Sequence, residues 1–299
     1  MDNNPRLNNY SFITDGPIFM GANRTIKDCE IIIYGVPYDG TTSFNPGTRF
    51  GPDAIKQVSS SLETYCPKLK VDLGSLNYAD LGLLEIPHGP PEKIINLVSN
   101  VTKEIVNVNK KQLIIGGEHS ISVGSVKSLA DIYPDLIVIQ LDAHADLRDE
   151  WLGSEYNHAC TMRRILDFIP SKNLLQVGIR SGTKSEFEEL NKSNRLINIY
   201  HGQAAIELKK SLQEHCNKPV YLTLDLDWFD PSVMPGTGTP EPGGFLWQDF
   251  ESILDILKDQ KVVAADVMEL SPKLDHSEIS SLLAAKVIRS LLILMSKGN

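Results

Sequence analysis

Six short runs of leucine and β-branched residues recur along the chain, at 31–34, 113–115, 136–139, 174–177, 220–224 and 262–265. Their apolar residues stand at consecutive rather than alternate positions. Each run would therefore bury both of its faces, as strands of a helix-covered parallel sheet do. The segments between the runs supply the cover. Ile94, Ile95, Leu97, Val98, Val101, Ile105 and Val108 repeat near a 3.6-residue period across 90–109, and a further helix is expected over 250–257. Strand and helix in alternation predict a mostly parallel sheet with helices on both sides.

No Ser/Gly-rich linker, abrupt charge shift, low-complexity tract or internal repeat interrupts the 299 residues, so one domain over 1–299 is expected. Residues 278–295 are apolar around most of a helical circumference and read as a buried helix or a subunit contact. Residues 1–9 are polar and lack the apolar core of a signal peptide, and no apolar run approaches the roughly 20 residues that span a bilayer. A cytoplasmic location without membrane contact is the expectation. Cys29, Cys66, Cys160 and Cys216 lie far apart with no CxxC pair, which points to reduced thiols rather than a zinc knuckle or disulfide scaffold. The net charge of -9, with scattered Lys and Arg, argues against nucleic acid and suits a small cationic substrate.

In an open parallel sheet ligands collect beyond the carboxyl ends of the strands. The first such end reads Gly116-Gly117-Glu118-His119-Ser120, the second Asp142-Ala143-His144-Ala145-Asp146, and the third Asp225-Leu226-Asp227. Side chains of an extended segment alternate faces, so Asp142, His144 and Asp146 are expected to point one way, as are Asp225 and Asp227. With His119 they make two imidazoles and four carboxylates. Like charges about 4 Å apart repel by roughly 4 kcal/mol per pair at an effective dielectric near 20, so cations or protons must occupy such a cluster. Two divalent ions would neutralise four carboxylates. Oxygen-rich ligation with some imidazole points to Mn²⁺, with Zn²⁺, Fe²⁺ or Co²⁺ as alternatives, and the lack of thiolates argues against a structural zinc. Two metals about 3.5–4 Å apart hold and acidify a bridging water, which makes hydrolysis the natural reaction class. Any one of these aspartates, taken alone, reads equally as a turn or helix cap.

The three boxes resemble those of the ureohydrolase family, the arginases and agmatinases: Gly-Gly-(Asp/Glu)-His-Ser at 116–120, Asp-Ala-His-x-Asp at 142–146, and Asp-x-Asp-x-x-Asp-Pro at 225–231. The resemblance covers nearly the whole chain. It implies an arginase-like three-layer α/β/α sandwich around a sheet of about eight strands, two Mn²⁺ per chain, hydrolysis of a guanidinium to urea and an amine, and a homo-oligomer of three or six chains. By motif match, His119 and Asp146 would bind one Mn²⁺ and His144 and Asp227 the other, with Asp142 and Asp225 bridging. Asp146 would also orient the bridging hydroxide and pass its proton toward the leaving amine.

The same resemblance makes His158 a proton shuttle near the leaving group, a role that suits an ordinary imidazole. Ala159-Cys160 departs from the Gly-Thr that many family members carry after this histidine. Glu269 would pair with the substrate guanidinium in a charge-assisted contact. Read without the family, His158 is a helix N-terminal histidine with a surface hydrogen bond and Glu269 an exposed acid at a strand end.

Two loops bear on the substrate. Residues 147–156 lack the Ser-Gly-Asn of arginases and carry Asp149, Glu150 and Glu155, which would suit a primary ammonium. Residues 235–244 resemble the agmatinase loop, with Glu241-Pro242 where arginases have apolar residues, so Glu241 joins the substrate-binding candidates. Agmatine, cleaved to putrescine and urea, is the leading substrate; guanidinobutyrate, guanidinopropionate and arginine are alternatives, and Arg148 could receive a carboxylate. A single-zinc amide hydrolase on the related deacetylase fold and a catalytically silent homologue are the competing classes. Six intact ligand positions oppose both.

Overall fold

The computed structural model describes residues 7–22, 25–197 and 203–297. Residues 1–6 of the polar N-terminal stretch lie outside the described residues. In chain order the main elements are β1 (Phe12–Ile13), β2 (Ile31–Val36), α1 (Gly51–Ser59), a small hairpin β3 (Tyr65–Cys66) and β4 (Val71–Asp72), β5 (Tyr78–Leu84), α2 (Pro91–Asn107), β6 (Lys111–Gly116), α3 (Ser122–Ile132) and β7 (Ile137–Leu141). They continue with α4 (Thr161–Ile165), β8 (Leu174–Val177), α5 (Lys184–Ser193), β9 (Leu196–Ile197), α6 (Ala204–Gln213), β10 (Pro219–Asp225), α7 (Trp247–Leu257), β11 (Lys261–Met268) and α8 (Ile279–Lys297).

Nine strands form one sheet in the order β1-β5-β2-β6-β11-β10-β7-β8-β9. Among the described residues only β1, at one edge, runs antiparallel to its neighbour, and the other eight strands of this sheet pair in parallel. Alternate residues of the strands feed two apolar layers. Ile31, Ile33, Leu113, Ile139 and Leu222 pack with α1, α6, α7 and α8, while Ile32, Ile114, Val138 and Ala264 pack with α2, α3 and α4. Both sheet faces are thereby sealed, and the result is the expected α/β/α sandwich.

All six apolar runs are strands of this sheet. Strand β5 was not among them, because Asp80 and Gly82 interrupt its apolar pattern. Buried Asp80 is met by the equally buried Lys56 ammonium at 2.6 Å and by the N–H groups of Phe19 and Gly82, each at 2.9 Å. Gly82 has φ +95, and a Cβ there would lie 2.1 Å from Ile13 O.

Helix α8 corrects the expectation that no apolar run approaches membrane-spanning length, because its residues Ile279–Ser296 are long and apolar enough to cross a membrane by length and composition. It is a core helix here: 72% of its apolar window is buried, against α1 and β11.

Candidate active site

Four adjacent strands, β6, β11, β10 and β7, end on the same side of the sheet, and each delivers candidate residues there. His119 follows the β6 turn, where Gly117 leaves no room for a side chain: a Cβ would stand 1.8 Å from Tyr38 O. Asp142, His144 and Asp146 follow β7, Asp225 closes β10, and Glu269 follows β11.

The expected alternation of an extended strand does not bring these carboxylates together. Strand β7 stops at Leu141, Leu226–Trp228 is a 3-10 turn, and Asp146 adopts the left-handed region at φ 52, as does Glu269 at φ 69. The segments turn because their own backbones are captured. Asp142 Oδ1 accepts from His144 N at 2.5 Å, Asp225 Oδ1 from Asp227 N at 2.9 Å, and Asp227 Oδ1 from Ala143 N at 3.1 Å. Non-glycine residues held in this strained region concentrate at functional sites.

The turned segments form two donor sets that share one carboxylate, His119 with Asp142 and Asp225, and Asp142 with His144 and Asp227. His119 Nδ1 lies 3.0 Å from Asp142 Oδ2, 3.2 Å from Asp146 Oδ2 and 3.5 Å from Asp225 Oδ2. His144 Nδ1 lies 2.9 Å from Asp227 Oδ2 and 3.7 Å from Asp142 Oδ1.

Below the cluster the parallel register aligns one polar residue from each of four strands, Gln176, Gln140, Thr223 and Asp266. Gln140 Nε2 donates to Asp142 Oδ2 at 2.7 Å, and Gln176 Nε2 donates to Gln140 Oε1 at 2.7 Å. Thr223 Oγ1 lies 2.8 Å from His119 Nε2. Asp266 accepts from Ser122 Oγ at 2.7 Å and from the Tyr221 hydroxyl. This row was missed in the sequence, where its only signal is a single polar residue inside an apolar run, as with Gln176 and Thr223, or just after one, as with Gln140 and Asp266.

The electrostatics fit bound cations. With Nε2–H assigned toward Thr223, His119 presents the Nδ1 lone pair to three carboxylates, and buried Nδ1 has no hydrogen-bond donor among the described residues. Lone pairs converging on one point in a buried site need a positive charge among them. Burial opposes an imidazolium at His119, yet Asp142, Asp146 and Asp225 outweigh it and hold the group well above its usual range. His144 follows the same pattern: burial opposes the charge, but Asp227 and Asp142 push it up to about 12. Burial, then Asp227 and Asp142, raises Asp225 well above the carboxylate range. Burial and Asp142 bring Asp146 to about 6. Protons are thus drawn to the positions that divalent cations would take.

A cavity of about 260 Å³ opens over the cluster, with Ser43, His144, Asp146, His158 and Asp225 among its lining residues. His158 is buried rather than a surface histidine, and Glu269, only 3% exposed, is no exposed acid. His158 Nδ1 stands 3.4 Å from Glu269 Oε1, which also accepts from His119 N at 2.8 Å. Burial by itself lowers the His158 pKa, but Glu269 outweighs it and the group rises to about 9. Cys160 is buried beside this turn and packs without a partner thiol.

Ser43 went unnoticed in the sequence, although it lies in a Gly/Ser/Thr/Pro-rich connection at the carboxyl end of β2. The loop acids 149, 150 and 155 are not where a substrate ammonium was expected to meet them. Asp149 and Glu155 face Arg163 and Arg164 on the exterior, and none of the three lines the cavity. Its loop contribution is instead Arg148, stacked 4.0 Å over the Trp151 ring. Glu241 contributes its backbone: its carbonyl oxygen accepts from Arg180 Nη2 and Nε at 2.7 and 3.2 Å, while its side chain does not line the cavity. Arg180 Nη2 also donates to Asp227 O at 2.7 Å, which clamps the 230–244 loop against the Asp227 turn.

Comparison with known proteins agrees with this geometry, since the arginase family profile matches residues 29–294. The chain belongs to the arginase family. An agmatinase of Bacillus cereus from this family is 36% identical over 280 residues, covering 93% of this chain and 96% of that one. An N(1)-aminopropylagmatine ureohydrolase of Thermococcus kodakarensis is 37% identical over 270 residues, or 88% and 89% of the two chains. The crystal structure of agmatine ureohydrolase of Thermoplasma volcanium superposes with a TM-score of 0.85 at 29% identity, covering 95% of this chain and 96% of that one. This arginase-family chain is a hydrolase of guanidino carbon–nitrogen bonds.

Proposed function

We propose that the chain hydrolyses agmatine to putrescine and urea with the help of two divalent cations, Mn²⁺ by the oxygen-rich character of the donors. The observation that carries this reading is the placement of Asp142 between His119 and His144, one carboxylate common to two histidine-bearing donor sets. His119 and Asp146 would hold one cation, His144 and Asp227 the other, with Asp142 and Asp225 between them. When bound, such a pair neutralises the carboxylates and makes water nucleophilic near neutral pH.

The chain's own residues do the rest. Asp146 orients the attacking water, takes up a proton and passes it toward the leaving amine. Glu269 faces the guanidinium with the oxygen that His119 does not engage, and His158 supplies a proton on the leaving-group side. The choice of agmatine rests on the relatives named for agmatine and its aminopropyl derivative, since the acids of the 147–156 loop lend it no support. Family membership is likewise the ground for proposing a cytoplasmic homo-oligomer, trimeric or hexameric, which light scattering tests.

The deciding experiment is urea release with added Mn²⁺ across agmatine, N(1)-aminopropylagmatine, arginine, guanidinobutyrate, guanidinopropionate and guanidine. Agmatine is expected to give the highest kcat/KM, with activity abolished in Asp146→Asn. Preference for arginine overturns the substrate assignment, and a metal-loaded protein inert toward the whole panel overturns the enzyme reading.

A further inference from the structure

Ser43 meets His158 twice. Its backbone N–H donates to His158 Nε2 at 3.2 Å, and its Oγ lies 2.9 Å from the same nitrogen. A backbone N–H can only donate, so the neutral ring has its lone pair at Nε2 and its hydrogen at Nδ1, facing Glu269 Oε1 at 3.4 Å. Glu269, His158 and the Ser43 hydroxyl therefore form a directed chain. It ends in the cavity, which both His158 and Ser43 line.

The contact is built from both sides. Two residues before Ser43, Thr41 offers its carbonyl to Asn157 Nδ2 at 2.9 Å and its Oγ1 to His158 N at 3.0 Å. The same Thr41 is anchored from the β6 turn by buried Glu118, which accepts from its backbone N–H at 2.6 Å and from its hydroxyl. The 41–43 segment is thus bonded to the His158 turn at several points, and chance contact of a loose loop does not describe it.

We propose that the Ser43 hydroxyl is a catalytic group that relays a proton from His158 to the departing amine, a role that rests on the guanidine hydrolysis proposed above. In the imidazolium form Nε2–H points at Ser43 Oγ, and the hydroxyl turns its own proton into the cavity. As the carbon–nitrogen bond breaks, its electron pair goes to the amine nitrogen, which takes the Ser43 proton. Ser43 Oγ takes the Nε2 proton, and His158 is left neutral with Nδ1–H toward Glu269. The hydroxyl proton on the former guanidinium carbon passes to Asp146 as the urea carbonyl forms. Asp146 hands this proton on to the released amine, which departs as an ammonium ion. The proton lost to solvent when the attacking water was activated restores the imidazolium, so Ser43, His158 and Asp146 all return to their starting states.

Ser43→Ala tests the hydroxyl alone, because the backbone N–H that fixes the His158 tautomer stays in place. In the metal-loaded enzyme, kcat for agmatine is expected to fall about 100-fold, at the lower edge of what a positioned proton donor contributes. Metal content and KM should stay near wild type, and Ser43→Thr should recover most of the rate. The proton inventory in mixed H2O and D2O is expected to be curved for the wild type and linear for Ser43→Ala. An arylguanidine, whose weakly basic leaving amine needs less proton donation, should lose under about threefold. Wild-type kcat in Ser43→Ala, an equal loss on both substrates, or no recovery in Ser43→Thr overturns the relay while leaving guanidine hydrolysis intact. A wild-type enzyme inert toward every guanidine overturns both.

Discussion

His119 Nε2 lies 2.8 Å from Thr223 Oγ1, and this contact turns the other ring nitrogen upward into the carboxylate cluster. A histidine that ligates metal through one nitrogen is oriented by what the other nitrogen meets, and such partners are typically worth 10- to 100-fold in metal affinity. Thr223→Val keeps the shape and removes the hydroxyl. It is expected to weaken binding of one of two Mn²⁺ equivalents by about that factor, read by competition against a calibrated chelator. Thr223→Ser should bind like the wild type, and unchanged affinity in the valine variant would show that Thr223 does not orient the ligand.

Asp142 occupies a different position, between the two histidines, with Oδ2 toward His119 and Oδ1 toward His144. Its loss should therefore affect both donor sets. Asp142→Asn is expected to bind less than half a Mn²⁺ equivalent per chain under conditions where His144→Ala retains one. Metal analysis after equilibrium dialysis reads the difference, and one full equivalent retained in Asp142→Asn contradicts the shared role.

The contrast between these residues shows where sequence reading succeeds. His119, Asp142, His144, Asp146, Asp225 and Asp227 stand in compact boxes at the ends of legible strands, so their convergence was predictable from the parallel sheet alone. The manner of convergence was not. The 142–146 and 225–228 segments are bent by side-chain capture of their own N–H groups, a geometry that extended-strand alternation does not contain. Gln140, Gln176, Thr223 and Asp266 become one row only through the register of four strands, and Ser43 meets His158 across 115 residues of chain. Such long-range pairings leave no periodic trace.

The missed strand β5 leads to a stability prediction. Lys56 and Asp80 are 1% and 0% exposed, and the Lys56 ammonium also donates to Gly82 O at 2.9 Å. Removing one partner of a buried pair leaves an uncompensated charge, at a cost of about 3–5 kcal/mol. Lys56→Met should lower the unfolding free energy by that amount in a denaturant titration, and Asp80→Asn added to it should recover part of the loss. A change under about 1 kcal/mol in the single variant would mean that the buried pair does not hold β5 in place.

Glu269 and His158 give the pH dependence. Burial works against the His158 imidazolium, and Glu269 reverses the balance, so the folded pKa of about 9 lies above the ordinary value of 6.5. A raised folded pKa stabilises the protein below the unfolded value and loses that contribution as pH rises through the folded one. The interaction should therefore be fully present below pH about 6.5 and gone above about 9. Glu269→Gln keeps an acceptor for the His119 N–H and removes the charge. The stability difference between wild type and this variant, measured by denaturant titration without metal, is expected to shrink from pH 6 to pH 9.5. The His158 imidazole, followed by NMR, should titrate at lower pH in the variant, because burial is then no longer opposed. A stability difference that grows with pH, or an unchanged His158 titration, would mean that Glu269 does not hold the His158 proton.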